Sequence, residues 1–252
     1  MLRWPAEAIW EAVAPMLPGF TVEVLPQVDS TNTELMRRAR AGRLEPVLLV
    51  AETQTAGRGR LGRQWSSGAR PGDVLTFSFG LPLRMADWSG LSLAVGLSVA
   101  RSLHPDLRLK WPNDVWLADR KLAGILIETT QIDAARYAVV GVGINITPRD
   151  AAGLATAPAW LQELDPGLTA PLALLQVAAS LVRDVQRFEE LGWGPFERAY
   201  AALDALAGRE VSLSDGSRGQ ARGVDGNGAL LVHTAAGLKK ISSAEVSVRP
   251  SN

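Results

Sequence analysis

Cysteine is absent from this 252-residue chain, and histidine occurs only twice. Without cysteine there is no disulfide, no thiolate metal site and no cysteine nucleophile, and the composition fits a reduced, cytoplasmic setting. His104 and His233 lie far apart, one at an expected helix end and one in an expected short strand. A serine-type triad or a histidine zinc site is therefore not expected. Net charge is missing too: 26 basic side chains balance 26 acidic ones, so no overall field draws the protein to DNA or to an anionic membrane, and any anion site must be local. Long apolar runs are also lacking. Met1–Pro5 has no basic segment followed by an apolar one, and Leu91–Leu103 is broken by serine and Arg101, so neither a signal peptide nor a membrane span is expected.

What remains is an ordinary globular composition, 47% hydrophobic and 21% charged, in a chain long enough for one larger and one small domain. Helical spacing predicts a helix over Ala6–Leu17 after Pro5 and another from Thr31 to about Ala41, where Thr31 and Glu34 form a capping-box pattern. Asp87 is placed to cap a third helix running to Leu103, and Pro171–Leu191 and Pro195–Leu206 read as two more. Strands are expected over Thr21–Leu25, Val47–Glu52, Val74–Phe79, Leu107–Trp111, Val115–Leu117, Leu122–Thr130 and Tyr137–Ile146. Ala151–Pro166, rich in alanine, proline and glycine, reads as a surface connection. After Gly208 come short apolar runs divided by Asp215-Gly216, Asp225-Gly226 and Ala236-Gly237, the texture of a small β-barrel. The expected domains are 1–207 and 208–252, an α+β unit followed by an SH3-like barrel.

Between Thr53 and Gly72 the hydrophobic period vanishes, and the loop is longer than the roughly 12 to 15 residues usual without a function. It holds Gly57, Arg58, Gly59, Arg60, Arg63 and Trp65, with Arg70 beyond and no acid among them. Glycine lets the backbone close on a ligand, guanidinium forks match phosphate or carboxylate, and Trp65 offers a flat face. A basic arm touching nucleic acid is the alternative for this segment alone. Lys110-Trp111-Pro112-Asn113-Asp114 ends a strand in a tight turn, with two side chains able to hold a metal, a ribose or an amine, although ordinary turn chemistry also uses these residues. In Lys121–Glu128 the small Ala123 and Gly124 interrupt a bulky strand, and Gly141-Val142-Gly143-Ile144-Asn145 puts two glycines on one side of another. Such glycines mark either a bulge or packing, or close approach by a ligand. Ser30, Thr31 and Asn32 open a helix, where hydroxyl and amide groups cap the backbone or bind small polar molecules.

Taken in order, Ser30-Thr31-Asn32, Gln54 through Trp65, KWPND at Lys110–Asp114, RKLAGILIE at Arg120–Glu128 and GVGIN at Gly141–Asn145 resemble the biotin protein ligase family. The resemblance runs from about Val28 to Asn145 and more loosely through the C-terminal unit. It implies a class II aminoacyl-tRNA synthetase-like fold, with a mixed, mostly antiparallel sheet and packed helices, followed by the SH3-like barrel. It also implies two steps. Biotin attacks the α-phosphorus of MgATP to give biotinyl-5'-AMP and pyrophosphate, and a lysine of a biotin carboxyl carrier protein then takes the biotinyl group.

By the same match, Ser30, Thr31, Asn32 and Gln54 would contact biotin, and Gly57, Arg58, Gly59, Arg60 and Arg63 would cover the acyl phosphate. Trp65 would lie on adenine, and Lys121 would meet both the biotin carboxylate and the α-phosphate. Asn113 and Asp114 would sit by the phosphates and the incoming amine, with Asp114 orienting it or accepting its proton. Gly124, Gly143 and Asn145 would approach the nucleotide. Mg²⁺ would arrive on the ATP phosphates without a dedicated protein site, and two copies would pair through the central sheet, as the family often does. A lipoate or octanoate ligase is the nearest alternative, and the arginine loop favours biotin. A biotin-responsive DNA-binding repressor is the other. The region before Asp29 has room for one helix and one strand and is not basic, so ligase activity without DNA binding is expected.

Overall fold

Alternate residues of β2 (Val47–Gln54) are buried against two different helical layers, and this sets the architecture. Leu48 and Val50 enter a core shared with α1 (Ala6–Val13), α3 (Leu91–Leu103) and α4 (Ala170–Leu191), whereas Val47 and Leu49 meet Leu35, Met36 and Ala39 of α2 (Thr31–Arg40) on the opposite face. Each such fully buried side chain contributes roughly 1.5–3 kcal/mol. The computed structural model describes residues 2–85, 87–132, 135–150, 157–242 and 248–250. With β1 (Thr21–Val28), β3 (Val74–Leu83), β4 (Arg108–Lys110), β5 (Asp114–Leu117), β6 (Arg120–Ile132) and β7 (Ala135–Asn145), β2 forms a seven-stranded sheet in the order β1-β2-β3-β7-β6-β5-β4. β1 and β2 are parallel and the other neighbours antiparallel, so the sheet is mixed.

The same alternation leaves the α2 face of β6 and β7 partly bare. Ala123, Ile125, Val140, Val142 and Ile144 point into the larger core, while Gly124, Gly141 and Gly143 turn toward α2 and the arginine loop. The room a Cβ would take is used by Asn32 over Gly141 and by Trp65 and Lys121 over Gly143 and Gly124, so the glycines form a floor on which these side chains sit close to the sheet.

After α5 (Glu197–Ala201) come β8 (Glu210–Leu213), β9 (Arg218–Val224), β10 (Leu230–Thr234), β11 (Gly237–Ile241) and β12 (Val248–Pro250). They form an antiparallel sheet in the order β11-β10-β9-β8-β12. Among the described residues nothing pairs β11 with β12, so the expected closed barrel is here an open five-stranded sheet. Val211, Ala221, Leu230 and Val232 join the core of the large sheet, and Trp111 Nε1 donates to the Gly228 carbonyl at 3.1 Å.

Several expected elements differ in detail. Ser30, not Thr31, caps α2 by accepting from the Thr33 N–H, while Glu34 pairs with Arg38 at 2.8 Å rather than closing a capping box. Asp87 accepts locally from the Ser89 N–H, so α3 starts only at Leu91, after Gly90 in a left-handed conformation. The helix expected over Pro195–Leu206 contracts to a 3₁₀ turn and five α-helical residues. Of the proposed surface connection Ala151–Pro166, residues 151–156 lie outside the described residues, and Ala159 and Leu161 are buried. The backbone there pairs with Lys121: the Lys121 N–H donates to Ala157 and the Ala159 N–H donates to Lys121. No helix among the described residues is long and apolar enough to cross a membrane.

Candidate active site

Above the glycine floor lies a cleft of about 1350 Å³. Its lid is the arginine loop, folded as a closed hairpin: Trp65 N–H donates to the Gly57 carbonyl at 2.9 Å and Gly59 N–H to Arg63 at 2.7 Å, with a 3₁₀ turn at Arg60–Gly62. The hairpin lays the Trp65 indole on Gly143 and Gly124. Lys121 Nζ and the Arg149 guanidinium each stand 5.7 Å from the ring centroid.

One end of the cleft is polar and largely uncharged. Gln54 Oε1 accepts from Thr31 N–H at 2.7 Å and from its hydroxyl at 3.1 Å, so the Gln54 amide is oriented with its N–H groups unbonded to any described residue. Asn32 donates to the Leu126 carbonyl at 3.1 Å and to Glu128 at 3.0 Å, and Glu128 also pairs with Arg58 at 3.3 Å. The buried Ser78 hydroxyl lies 2.7 Å from the Thr31 hydroxyl and 2.6 Å from Asn32 Oδ1, to one of which it donates. Donors and acceptors are thus fixed on one small surface, the condition for selecting a compact polar head group.

The other end is cationic. Lys121 Nζ reaches Asp114 at 2.7 Å, Arg60 reaches Asn113 Oδ1 at 3.5 Å, and Asn113 holds the Ile125 carbonyl at 2.7 Å. Asn145 holds the Lys121 and Ala159 carbonyls at 3.2 and 2.9 Å. Burial lowers the pKa of the Arg60 guanidinium, with Asp114 opposing and Arg63 adding to the effect, and burial likewise lowers that of Arg149 against the pull of Asp73. The Lys110 ammonium is brought down to about 8 by burial, with Asp114 working upward and Lys121, Arg63 and Arg60 downward. Cations brought out of water and only partly offset by the Asp114 and Asp73 carboxylates form a site that a polyanion relieves.

All the residues that the family resemblance assigned to biotin, nucleotide or acceptor amine line this cleft except Gly57, whereas Arg70 of the arginine loop does not line it. Gly57 is buried beneath the hairpin, where a Cβ would strike the Trp65 backbone and the Gln54 side chain. Sequence reasoning passed over Ser78, Arg149, and Arg209, Ser212 and Arg218 of the C-terminal sheet, and gave Lys110 no role of its own. Arg209 ties that sheet to Asp119 at 2.6 Å, and Arg149 holds Asn145 Oδ1 at 2.7 Å. None of the five lies in a recognisable motif, so only folding brings the other four to the cleft and the buried Ser78 behind Thr31 and Asn32.

Residues 24–145 match the biotin/lipoate A/B protein ligase family and residues 207–249 the biotin protein ligase C-terminal domain. The bifunctional ligase/repressor BirA of Escherichia coli is 37% identical over 246 residues, spanning 92% of this chain and 75% of its own length. The biotin–[acetyl-CoA-carboxylase] ligase of Paracoccus denitrificans is 33% identical over 237 residues, spanning 88% of this chain and 98% of its own. The chain belongs to the biotin protein ligase family. In structure it is similar to the biotin protein ligase of Aquifex aeolicus in complex with biotin and ATP, with a TM-score of 0.77 and 31% identity over 91% of this chain and 99% of that one. For a biotin protein ligase the two ends of the cleft have distinct meanings, since one substrate carries a neutral bicyclic head and the other a triphosphate. The first family match ends at Asn145 and the second begins at residue 207, so Arg149 lies between them and Arg209 and Arg218 within the C-terminal match.

Proposed function

We propose that the chain activates biotin with ATP to biotinyl-5'-AMP, releasing pyrophosphate, and transfers the biotinyl group to a lysine of a biotin carboxyl carrier protein. The observation that carries this reading is the juxtaposition in one cleft of the Thr31–Asn32–Gln54–Ser78 network and the Arg60–Lys110–Lys121–Arg149 cations, with Trp65 between them over bare glycines. The network suits the ureido head, whose carbonyl can accept from the free Gln54 amide. The indole gives adenine a face to stack on, worth about 1–3 kcal/mol by analogy with other base–aromatic contacts.

In the first step two anions must approach each other, and Lys121 with Arg60 and Arg63 offsets their repulsion where charge builds up at the α-phosphorus. Mg²⁺ enters as part of the MgATP substrate and is held by phosphates and water. Among the described residues no cluster of three His, Asp or Glu side chains offers it a protein cage. In the second step Asp114, held by Lys121, orients the acceptor amine, and the closed hairpin keeps water from the reactive anhydride.

The chain divides into a catalytic domain of class II synthetase type through residue 207 and a C-terminal unit from residue 208 built on the open five-stranded sheet, working in the cytoplasm without DNA. Two copies pair through the central sheet. Biotin-dependent ATP–pyrophosphate exchange, run beside lipoate and octanoate and followed by labelling of an apo carrier domain, tests the central reading. Exchange supported by lipoate alone would end it, whereas wild-type exchange kinetics in both Lys121→Ala and Arg60→Ala would reject the assignment of the site residues.

A further inference from the structure

Lys110 stands directly opposite Asp114 across the β4–β5 pair and lines the cleft. Its environment differs from that of Lys121, Arg60 and Arg149. Lys121 is tied to Asp114, Arg60 to Asn113 and Arg149 to Asn145, but Lys110 Nζ makes no hydrogen bond or salt bridge to any described residue. Its ammonium stands over the ring of the buried Trp116, 5.9 Å from Nζ to centroid. A half-buried amine that makes no hydrogen bond to the nearby Asp114 carboxylate, and is outnumbered by cations, is held where its neutral form is tolerated.

The ligase reading leaves one proton unaccounted for. The acceptor lysine enters as an ammonium with a pKa near 10.4 and must be neutral to attack. An ordinary carboxylate is about six units too weak a base to take that proton efficiently, and the Asp114 carboxylate is already engaged by Lys121.

We infer that Lys110 is the residue that accepts the proton from the incoming amine in the transfer step, an assignment that rests on the ligase reading. The groups facing it are Asp114, Lys121, Arg63 and Arg60, three cations against one anion, and burial together with those cations holds its pKa down to about 8. While the nucleotide polyphosphate is bound, that negative charge keeps Lys110 protonated and it serves as a further cation. Departure of pyrophosphate removes most of the anion, and Lys110 releases its proton to solvent. The acceptor ammonium then gives a proton to Lys110 Nζ, and the freed nitrogen lone pair forms the C–N bond to the biotinyl carbonyl carbon. The bond from that carbon to the phosphate oxygen breaks, AMP leaves with the electron pair, and the second amine proton passes to water. Lys110 ends as an ammonium, the form the next nucleotide requires.

The test separates the half-reactions. Pyrophosphate exchange reports the first, and single-turnover transfer from synthetic biotinyl-5'-AMP to an apo biotin carrier domain reports the second, each from pH 6.5 to 9.5. Lys110→Arg keeps the charge but not the ability to release a proton. It is expected to slow transfer about 100-fold at pH 7.5 and exchange at least tenfold less than that. Wild-type transfer should rise with pH and level off near 8, while the variant keeps rising. Hydroxylamine, an acceptor already neutral at pH 7, should discharge the adenylate equally fast on both proteins. Equal losses in the two half-reactions, or wild-type transfer with its plateau intact in Lys110→Arg, would overturn the inference. Should the variant not fold, a wild-type transfer rate without an inflection between pH 7 and 9 overturns it alone. Absence of biotin-dependent exchange in the wild type would instead remove the ligase reading, and the inference with it.

Discussion

Replacing Gly143 with alanine adds one methyl group to the floor of the cleft, and the structure says what it would meet. A Cβ there falls within 2.5 Å of the Trp65 Cζ2 and Nε1 atoms, far inside van der Waals contact, so the indole must leave its seat. The obstacle is a side chain on a surface hairpin, not core backbone, and the hairpin can shift outward. Stability should therefore suffer at the low end of the roughly 1–3 kcal/mol of overpacking, a fall in Tm of about 2–4 °C. Nucleotide binding should suffer more, because the moved ring gives up a stacking face worth about 1–3 kcal/mol, or about 5- to 150-fold in affinity. Steady-state exchange at varied ATP and varied biotin, with calorimetry on the same preparation, measures both. KM for ATP should rise within that range, with a smaller change for biotin. An unchanged KM for ATP would refute the placing of the indole against the nucleotide, and a Tm loss above 10 °C would make Gly143 a structural residue instead.

Gly141→Ala should behave differently, because its Cβ would strike Asn32, which is tied to Leu126, Glu128 and Ser78 and cannot swing away; stability and the KM for biotin should change more than the KM for ATP. Asn32→Ala strands the partners of a buried network and should cost about 1–3 kcal/mol, read from urea denaturation, and a variant as stable as wild type would contradict the network's role. Asp204 has its pKa raised, first by burial and against its bonds from the Leu206 and Ala207 N–H groups. The fold thus favours its protonated form: that contribution is fully present below the unfolded value near 3.9 and is lost as pH rises through the folded value. Asp204→Asn, which keeps the Oδ1 acceptor, should raise Tm at pH 7 by a margin that shrinks toward pH 4, and a margin that grows in acid would reverse the sign of the argument. Trypsin should cut the arginine hairpin more slowly with biotin and ATP bound than without, and equal rates would deny that the loop closes on ligand.

The sequence made the large sheet readable because β2, β6 and β7 alternate or run apolar as strands buried on both faces do, and because GVGIN and RKLAG break those runs with glycine on one side. Interactions outside the local window were less legible. Asp87 looks like a helix cap until it is seen to bond Ser89, two residues on. Ala157–Leu161 has the composition of a loop, yet its backbone pairs with Lys121, 36 positions away from Ala157, and nothing local announces that. Arg149, Arg209 and Arg218 are isolated basic residues in sequence and become part of the site only through the fold. Ser78 sits in an apolar strand where a serine reads as filler, although its hydroxyl joins Thr31 to Asn32.

The charges at the cleft follow a logic opposite to that of the core. Arg60, Lys110 and Arg149 are all disfavoured as cations by burial, and Arg60 and Lys110 also repel their neighbours. Asp114 and Asp73 offset only part of this, so without a bound anion the region works against the fold. A protein selected for stability alone would replace these residues with neutral ones. Their presence has a physical rationale only if the free energy they withhold from the folded chain is returned when a polyanion binds, which ties the site's electrostatics to nucleotide use rather than to architecture. The backbone bonds at Gly57–Trp65 and Gly59–Arg63 that close the arginine loop as a hairpin add to the Arg58–Glu128 and Arg60–Asn113 contacts in holding Arg60 and Arg63 together against their mutual repulsion.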